Sequence, residues 1–355
     1  MMRNFVRDVG NQVTLGIFVA TFVYSVLALG SITAGGAHGQ FVPYVSVFVA
    51  ETLMLVDIAF LIYFIHHIAK SIQLPEVIAG IARDLTRAID QEFPLEYGQL
   101  PSAVADASLE SVAGVLSRIE TEGAVIRADV SGYLQFVGYA QLLEIAESSD
   151  AVVRLAHRPG HFVMAGRPLA RVWPPAAAPQ ISRALAKAHV TGPHRTLVQD
   201  PVFAIDQLVE ICIRALSPAV NDTFTALTCI DWLAAGLGRV SSRTIAEGVY
   251  RDRSGRVRLV EFDPSYPRMV NRTFDKVRQS AAGMPAVLIR LLDSLANVGE
   301  ATVTLEQRAV IARQAEMVVR LGESSVAEAN DLQDIRGRYE RVMAVCGASS
   351  RRTGA

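Results

Sequence analysis

The chain has 355 residues, of which 51% are hydrophobic and 19% are charged. Its mean hydropathy of +0.29 and its three cysteines exclude intrinsic disorder, which needs a polar chain, and a small secreted module held together by disulfides. Thirty-four Lys and Arg residues against 35 Asp and Glu residues give a net charge of −1, so no basic surplus favours nucleic acid as a partner.

Two apolar blocks near the N-terminus predict a transmembrane helical hairpin. The first block, residues 13–33, would form a helix of about 31 Å, which matches the hydrocarbon core of a bilayer. A glycine-rich linker at residues 35–40 separates it from the second block, residues 41–65, which is long enough to span with tilt. The first block is too long for the apolar region of a cleaved signal peptide.

Basic residues beside the two blocks predict the orientation of the hairpin. They lie before the first block and after the second, and the linker has none, so both termini are expected in the cytoplasm. These residues are Arg3, Arg7, Lys70, Arg83 and Arg87. The remaining part of the chain is then cytosolic, and its three widely spaced cysteines fit a reducing compartment.

Two acidic residues, Glu51 and Asp57, lie within the second block. A carboxylate at membrane depth is costly unless it is neutral, paired or facing water. Six residues correspond to about 240° of helical rotation, so the two acids are expected on different faces. Either other helices cover them, through a homo-oligomer or a further pair of spans, or one of them lines a path for an ion or a proton. The alternative is a protonated or snorkelling acid with a structural partner.

Periodicity and turn residues divide the chain into segments and predict an α+β membrane protein. Its N-terminal transmembrane hairpin is followed by a small β-barrel-like subdomain and a mostly α-helical domain, which includes one continuous helix at residues 266–295. The predicted segments are a hairpin at residues 1–70, a helical connector at 71–122, a β-rich subdomain at 123–175, a mainly helical cytosolic domain at 176–346 and a flexible tail at 347–355.

The pattern P-G-x-x-V-x-x-G-x-x-L-A at residues 159–170 resembles the barrel-sandwich hairpin of lipoyl-like domains. Cofactor attachment in those domains needs a lysine. The chain has only Lys70, Lys187 and Lys276, and all three lie outside the predicted barrel. A carrier role is therefore excluded, and we expect no cofactor. A structural or ligand-holding barrel remains.

Polar residues follow a regular spacing on a predicted apolar helix at residues 205–216. Asp206, Glu210 and Arg214 recur every four residues and form one charged stripe, in which Glu210 is placed to pair with Arg214. Ser217 and the following proline end this helix.

A second helix is predicted after Asp222, which is suited to cap it, and Asp231 continues a polar stripe along it. Facing polar stripes on the two helices predict a buried polar seam between them. At this seam we expect a pocket for a small ligand or an ion, because the helix ends there favour an anion. The alternative is that the turn residues only cap the helices and the stripe is a satisfied core network. The candidate ligand-binding residues are Asp206, Glu210, Arg214, Ser217, Asn221, Asp222 and Asp231.

Four stretches in order resemble a family of bacterial membrane proteins catalogued as domain of unknown function 2254. They are GNQVTLGIFVATFVYSVL at 10–27, YFIHHIAKSIQ at 63–73, HRPGHFVMAGRPLARVWP at 157–174 and RALSPAVNDTFTALTCIDWL at 214–233. The resemblance implies a multi-pass inner-membrane protein with a soluble C-terminal region, and it carries over no activity. Relatives usually have another pair of spans ahead of the segment corresponding to residues 1–8, so either the start is misassigned or this is a short variant.

Known catalytic motifs do not occur in the sequence. It has no GxxxxGK[ST] phosphate loop, no complete GxGxxG, no HExxH and no GxSxG. His157 and His161 flank a predicted turn without an acidic or cysteine partner at fixed spacing, so no metal site is predicted. We favour a membrane-anchored ligand- or partner-binding module without catalysis. A channel or transporter component that uses Glu51 and Asp57 is the alternative, and an enzyme comes third.

Overall fold

The computed structural model describes residues 9–31, 43–71, 74–93, 111–243, 248–261 and 265–348. It divides into two compact units, Met1–Val77 and Ile78–Ala355. The predicted linker at 35–40 lies outside the described residues. Of the tail predicted at 347–355, residues 347 and 348 end the last helix, and 349–355 lie outside the described residues.

The first unit contains two apolar helices, α1 (Val9–Gly30) and α2 (Tyr44–Ser71), which pack against each other. The candidate membrane spans within them are Gln12–Gly30 and Tyr44–Ile65, and both expose most of their apolar surface. On α1 the buried residues Thr14, Thr21 and Ala28 recur every seven positions, which places them on one seam facing α2. The two N-terminal apolar helices predicted from the sequence are confirmed.

The second unit combines helices with short strands. Its helices are α3 (Leu74–Glu92), α4 (Val112–Glu122), α5 (Tyr139–Ser148), α6 (Ala178–Ala188), α7 (Pro201–Ala215), α8 (Thr223–Ser241), α9 (Tyr266–Ser280), α10 (Pro285–Glu300), α11 (Leu305–Ser325) and α12 (Ala329–Ala348). Its strands are β1 (Ala124–Arg127), β2 (Gly132–Val137), β3 (Val152–Leu155), β4 (Phe162–Val163), β5 (Pro168–Trp173), β6 (His189–Gly192), β7 (Val249–Arg251) and β8 (Val257–Val260).

The strands form two open sheets, so the predicted barrel is wrong. The larger sheet has the order β1-β5-β3-β8-β7, and the smaller has the order β4-β2-β6. Only the pairing of β3 with β8 is parallel among the described ladders. Strands β6, β7 and β8 come from beyond the predicted β-rich segment and extend the sheets at their edges. Neither sheet closes on itself.

The main hydrophobic core lies among the helices α3 and α7 to α12, where Leu208, Ile230, Leu291 and Ile311 are fully buried. The apolar face of each helix points into this core. The continuous helix expected at residues 266–295 is instead two helices. Gly283 has a φ of +72°, and a proline opens α10, so the chain turns between α9 and α10.

We expect two helical glycines to respond in opposite ways to substitution by alanine. A Cβ at Gly236 would lie 2.6 Å from Leu85 Cδ2, which is buried in the core, so Gly236→Ala should lower the free energy of unfolding by about 1–3 kcal/mol. Gly337 has open space around its Cα, so Gly337→Ala should be neutral or stabilising by up to about 1 kcal/mol. Urea unfolding in detergent measures both, and equal destabilisation would contradict the close helix approach.

Candidate functional site

The predicted charged stripe on α7 is present, but it is not buried. The Glu210 and Arg214 side chains are 65% and 70% exposed and form the predicted ion pair at 2.7 Å. Asp206 is half-buried on the same side of the helix. The opposite side, with Leu208 and Cys212, packs into the core. The predicted buried seam between this helix and the next is therefore wrong.

The turn between α7 and α8 uses its polar residues for its own structure. Ser217 Oγ donates to the Arg214 carbonyl at 2.7 Å, and Asn221 has a φ of +49°. Asp222 caps α8, as predicted, by accepting from Thr225 Oγ1 at 2.6 Å and from the Thr225 amide at 3.1 Å. These hydrogen bonds from Thr225 lower the pKa of the Asp222 carboxyl.

Asp231 lies apart from the other candidate residues. Its carboxylate accepts from Arg290 Nη1 of α10 at 3.0 and 3.1 Å at an exposed position. In the part of the chain that the structure describes, Asp206 and Glu210 are the only two of the seven predicted ligand-binding residues that line the same groove. Arg214, Ser217 and Asn221 are joined by hydrogen bonds in the turn between α7 and α8, but neither they nor Asp222 and Asp231 line this groove.

A charged network that the sequence pattern does not reveal surrounds Asp206. Arg195, in the segment between β6 and α7, donates from Nε to Asp200 Oδ2 at 2.8 Å and from Nη1 to Asp206 Oδ2 at 2.5 Å. Arg272 of α9 donates to both oxygens of Asp206, with 2.7 Å between Nη2 and Oδ2. We call these four residues the Arg195 network. Each inner member, Arg195 and Asp206, has two oppositely charged partners.

Asp200 joins this network to the loop before β4. Its side chain is 4% exposed and caps α7 by accepting from the Phe203 amide at 3.2 Å. Burial raises the pKa of Asp200, while Arg195 acts in the opposite direction. Gly160 has a φ of +91°, and a Cβ there would lie 2.1 Å from Asp200 Oδ2. Only glycine allows the loop to approach this carboxylate so closely.

A groove of about 600 Å³ runs between α7 and α9 beside the Arg195 network. Val209 and Ile213 supply apolar surface, and the polar walls carry opposite charges. The wall on α7 carries Asp206 and Glu210, and the wall on α9 carries Arg268, Arg272 and Lys276. One carboxylate of α9, Asp275, also lines the groove and accepts from Gln314 Nε2 at 3.0 Å. The basic residues recur every four positions and so share one face of α9. Among the described residues, no carboxylate lies within ion-pairing distance of Lys276.

A second cluster of ionisable groups surrounds a cavity of about 10 Å³, which holds roughly one water molecule. Burial raises the pKa of Glu92 to about 7, and the nearby Glu261 carboxylate acts in the same direction. The buried Tyr139 hydroxyl makes no hydrogen bond of ordinary geometry within the described residues. Burial raises the pKa of Tyr139, and the nearby Glu261 carboxylate raises it further. Burial also lowers the pKa of Arg158.

Burial and the nearby Arg158 guanidinium both disfavour the charged form of His161. Arg158 Nε donates to His161 Nε2 at 3.4 Å. Burial and the positive charge of Arg158 lower the pKa of His161 to about 4. The His157 ring centroid lies 6.0 Å from that of His161. Within the part of the chain that the structure describes, no three His, Cys, Asp or Glu side chains are grouped to hold a metal ion.

The two acidic residues of α2 lie on different faces of the helix, as predicted. Asp57 is half-buried in the seam with α1, where Thr21 Oγ1 donates to Asp57 Oδ1 at 3.2 Å. Glu51 is exposed on the outer surface of the two-helix unit. The hairpin therefore satisfies one carboxylate itself and leaves the other for the surroundings.

Comparison with known proteins adds the family. The family model described as "Predicted membrane protein (DUF2254)" matches residues 1–297. The chain belongs to this family. Two uncharacterised relatives, from Mycobacterium bovis and Mycobacterium tuberculosis H37Rv, are each 32% identical to it over 351 residues, which are 97% of this chain and 65% of the relative. The DUF2254 chain thus spans less than two thirds of the length of these relatives. No solved structure matches it.

Two of the four stretches that resemble DUF2254 contribute to the clusters described above. The stretch at 157–174 supplies Arg158, Gly160 and His161, and so joins the Glu92 cavity to the Arg195 network. The stretch at 214–233 forms the turn between α7 and α8, the Asp222 cap of α8 and most of the exposed side of α8. The family resemblance in this DUF2254 chain therefore includes the loop that approaches Asp200.

We expect Asp206→Asn to destabilise the DUF2254 chain more than the matched variant Asp231→Asn. The first removes the acceptor shared by two guanidiniums at a half-buried position, which should cost about 1–3 kcal/mol of unfolding free energy. The second breaks an exposed pair with Arg290 and should cost less than about 1 kcal/mol. Urea unfolding measures both variants, and a larger effect at Asp231 would contradict the structural role of the Arg195 network.

The Glu92→Gln variant tests the buried carboxyl. The pKa of Glu92 in the folded chain is about 7, above its ordinary value of 4.5, so folding binds a proton between these pH values and wild-type stability falls as pH rises through 7. Glu92→Gln carries no titrating group there. Its stability relative to wild type should therefore increase between pH 5 and pH 8. Glu340→Gln, at an exposed glutamate of α12, is the control, and an identical pH profile for both variants would disprove the burial effect.

Proposed function

We propose that this chain is a membrane-anchored binding module without catalysis, whose second unit takes a small charged ligand in the groove between α7 and α9. The observation that carries the proposal is the groove itself, about 600 Å³ in volume with walls of opposite charge. Small-molecule sites fall in the range of roughly 300–1,000 Å³ and combine apolar surface with a few oriented polar groups. The Asp206–Arg272 pair joins the two helices that form the groove.

The distribution of paired and unpaired charges favours a small organic anion. Glu210 is already paired with Arg214, and Asp206 is held by two arginines. Lys276 has no such partner among the described residues. An anionic group beside Lys276, with its carbon skeleton against Val209, would use both kinds of lining surface.

The binding proposal is tested with glutarate as an anionic probe and putrescine as a cationic probe of similar length, at equal ionic strength. Glutarate should raise the unfolding temperature of the detergent-purified full chain, and Lys276→Gln should reduce this shift by more than half. Lys187→Gln, at an exposed lysine of α6, should leave the shift unchanged. Equal responses of the two variants, or equal stabilisation by putrescine, would contradict the proposal.

We further propose a multi-pass protein of the bacterial inner membrane with both termini in the cytoplasm, assembled as a homo-oligomer. The two candidate spans and the basic residues outside them support this topology. The exposure of Glu51 supports the oligomer, because a carboxylate at bilayer depth needs a neighbouring polar group. Reporter fusions at both termini test the orientation, and the native mass of the purified protein tests the subunit number.

The second candidate function is a component of a channel or transporter. It is favoured by the hydrogen bond from Thr21 to Asp57, which supports a polar path along the seam between the two spans. In proteoliposomes loaded with a pH-sensitive dye, Asp57→Asn should then abolish proton flux and Glu51→Gln should reduce it. Flux that is indifferent to both substitutions would exclude this function.

A further inference from the structure

A cleft of about 690 Å³ lies between α4, the larger sheet and the start of α9. It is lined on one side by apolar residues and on the other by charged ones. Among the described residues it shares only Arg268 with the groove between α7 and α9. Ligand binding in this cleft therefore does not depend on the function proposed above.

Two arginines face each other at the charged side of this cleft. Arg154 of β3 and Arg171 of β5 are direct partners in the antiparallel ladder. Like charges at opposed positions on neighbouring strands repel each other, so this pair needs an anion. The Arg154 and Arg171 side chains are only partly exposed, which weakens screening of their repulsion by water.

Glu120 of α4 supplies one carboxylate for the two guanidiniums. It contacts Arg154 Nη1, and its Oε2 lies 3.3 Å from Arg171 Nε. Arg171 Nη1 also reaches the Glu120 carbonyl at 3.5 Å. In the described parts of the chain, Glu120 is the only carboxylate within 4 Å of either arginine. The two guanidiniums share one carboxylate, so one of the two positive charges remains without a carboxylate partner.

The apolar side of the cleft continues from the same helix. Val112 and Leu116 precede Glu120 at intervals of four, so all three share one face of α4. Across the cleft lie Val249 of β7 and Val260 of β8. Glu261 and Arg268 also line the cleft and carry one charge of each sign, so the surplus positive charge stays with Arg154 and Arg171. The cleft thus offers a cationic end and an adjoining apolar wall.

We propose that this cleft binds an amphipathic monoanion, an alkyl carboxylate, with its headgroup between Arg154 and Arg171 and its alkyl chain against α4. The headgroup completes the pairing that Glu120 provides only in part. Guanidinium groups bind such oxyanions with two parallel hydrogen bonds. The alkyl chain covers Val112 and Leu116, which are otherwise only partly buried.

The test measures octanoate binding to the full chain in dodecyl maltoside through octanoate-dependent thermal unfolding. Wild type should show saturable stabilisation by octanoate and none by acetate or octanol at the same concentrations. Arg171→Gln and Arg154→Gln should each weaken binding about tenfold. Glu120→Gln removes the internal competitor and should tighten binding, which separates ligand recognition from a purely structural role of the three residues. Arg336→Gln, which breaks an exposed pair with Glu323, should leave binding unchanged.

Two results would overturn the proposal. One is equal stabilisation by octanol, which would indicate apolar partitioning without recognition of charge. The other is a Glu120→Gln variant that binds octanoate no more tightly than wild type.

Solvent extraction of protein purified from cell membranes identifies the source of the ligand. A fatty acid recovered from wild type and absent from Arg171→Gln indicates a membrane lipid source, and octanoate binding without such a co-purified acid indicates a soluble one.

Discussion

The arrangement of the second unit depends on how one guanidinium is held between two carboxylates. Arg195 contacts Asp200 at the start of α7 and Asp206 further along the same helix, and Asp206 is shared with Arg272 of α9. The Arg195 side chain is 17% exposed, so solvent is a poor substitute for either partner. Because Asp200 also touches the backbone at Gly160, the β-rich part, α7 and α9 are positioned by charge as well as by apolar packing.

The sequence predicts those features whose causes lie within a few residues. The apolar helices α1 and α2 follow from length and composition. The strands β1 to β5 all lie within the predicted β-rich segment at 123–175, since alternation and turn residues are local signals. The barrel is wrong because closure depends on which strands meet at the edges. Alternation within 123–175 contains no information that β3 pairs with β8.

The same distinction applies to the candidate site. The Glu210–Arg214 pair lies within one turn of helix and the Asp222 cap within three residues, so spacing predicts both. Asp206 and Arg272 are 66 residues apart, and Asp231 and Arg290 are 59 apart. Nothing in a single sequence indicates which distant arginine meets which carboxylate. The predicted burial of the α7 stripe is wrong for a related reason. Spacing shows that the stripe is polar, but whether it faces solvent or another helix depends on packing between distant segments, and here it faces solvent.

The parallel pairing of β3 with β8 has a consequence for synthesis on the ribosome. Val153 pairs with Leu259, about a hundred residues later in the chain, and translation proceeds at about 5–20 residues per second. For several seconds the nascent sheet therefore has β3 paired with β5 on one side and an open backbone edge on the other. Open edges recruit strands from other chains. The half-made protein, rather than the finished one, is then the species most prone to aggregate, and slow translation between β5 and β8 prolongs that state.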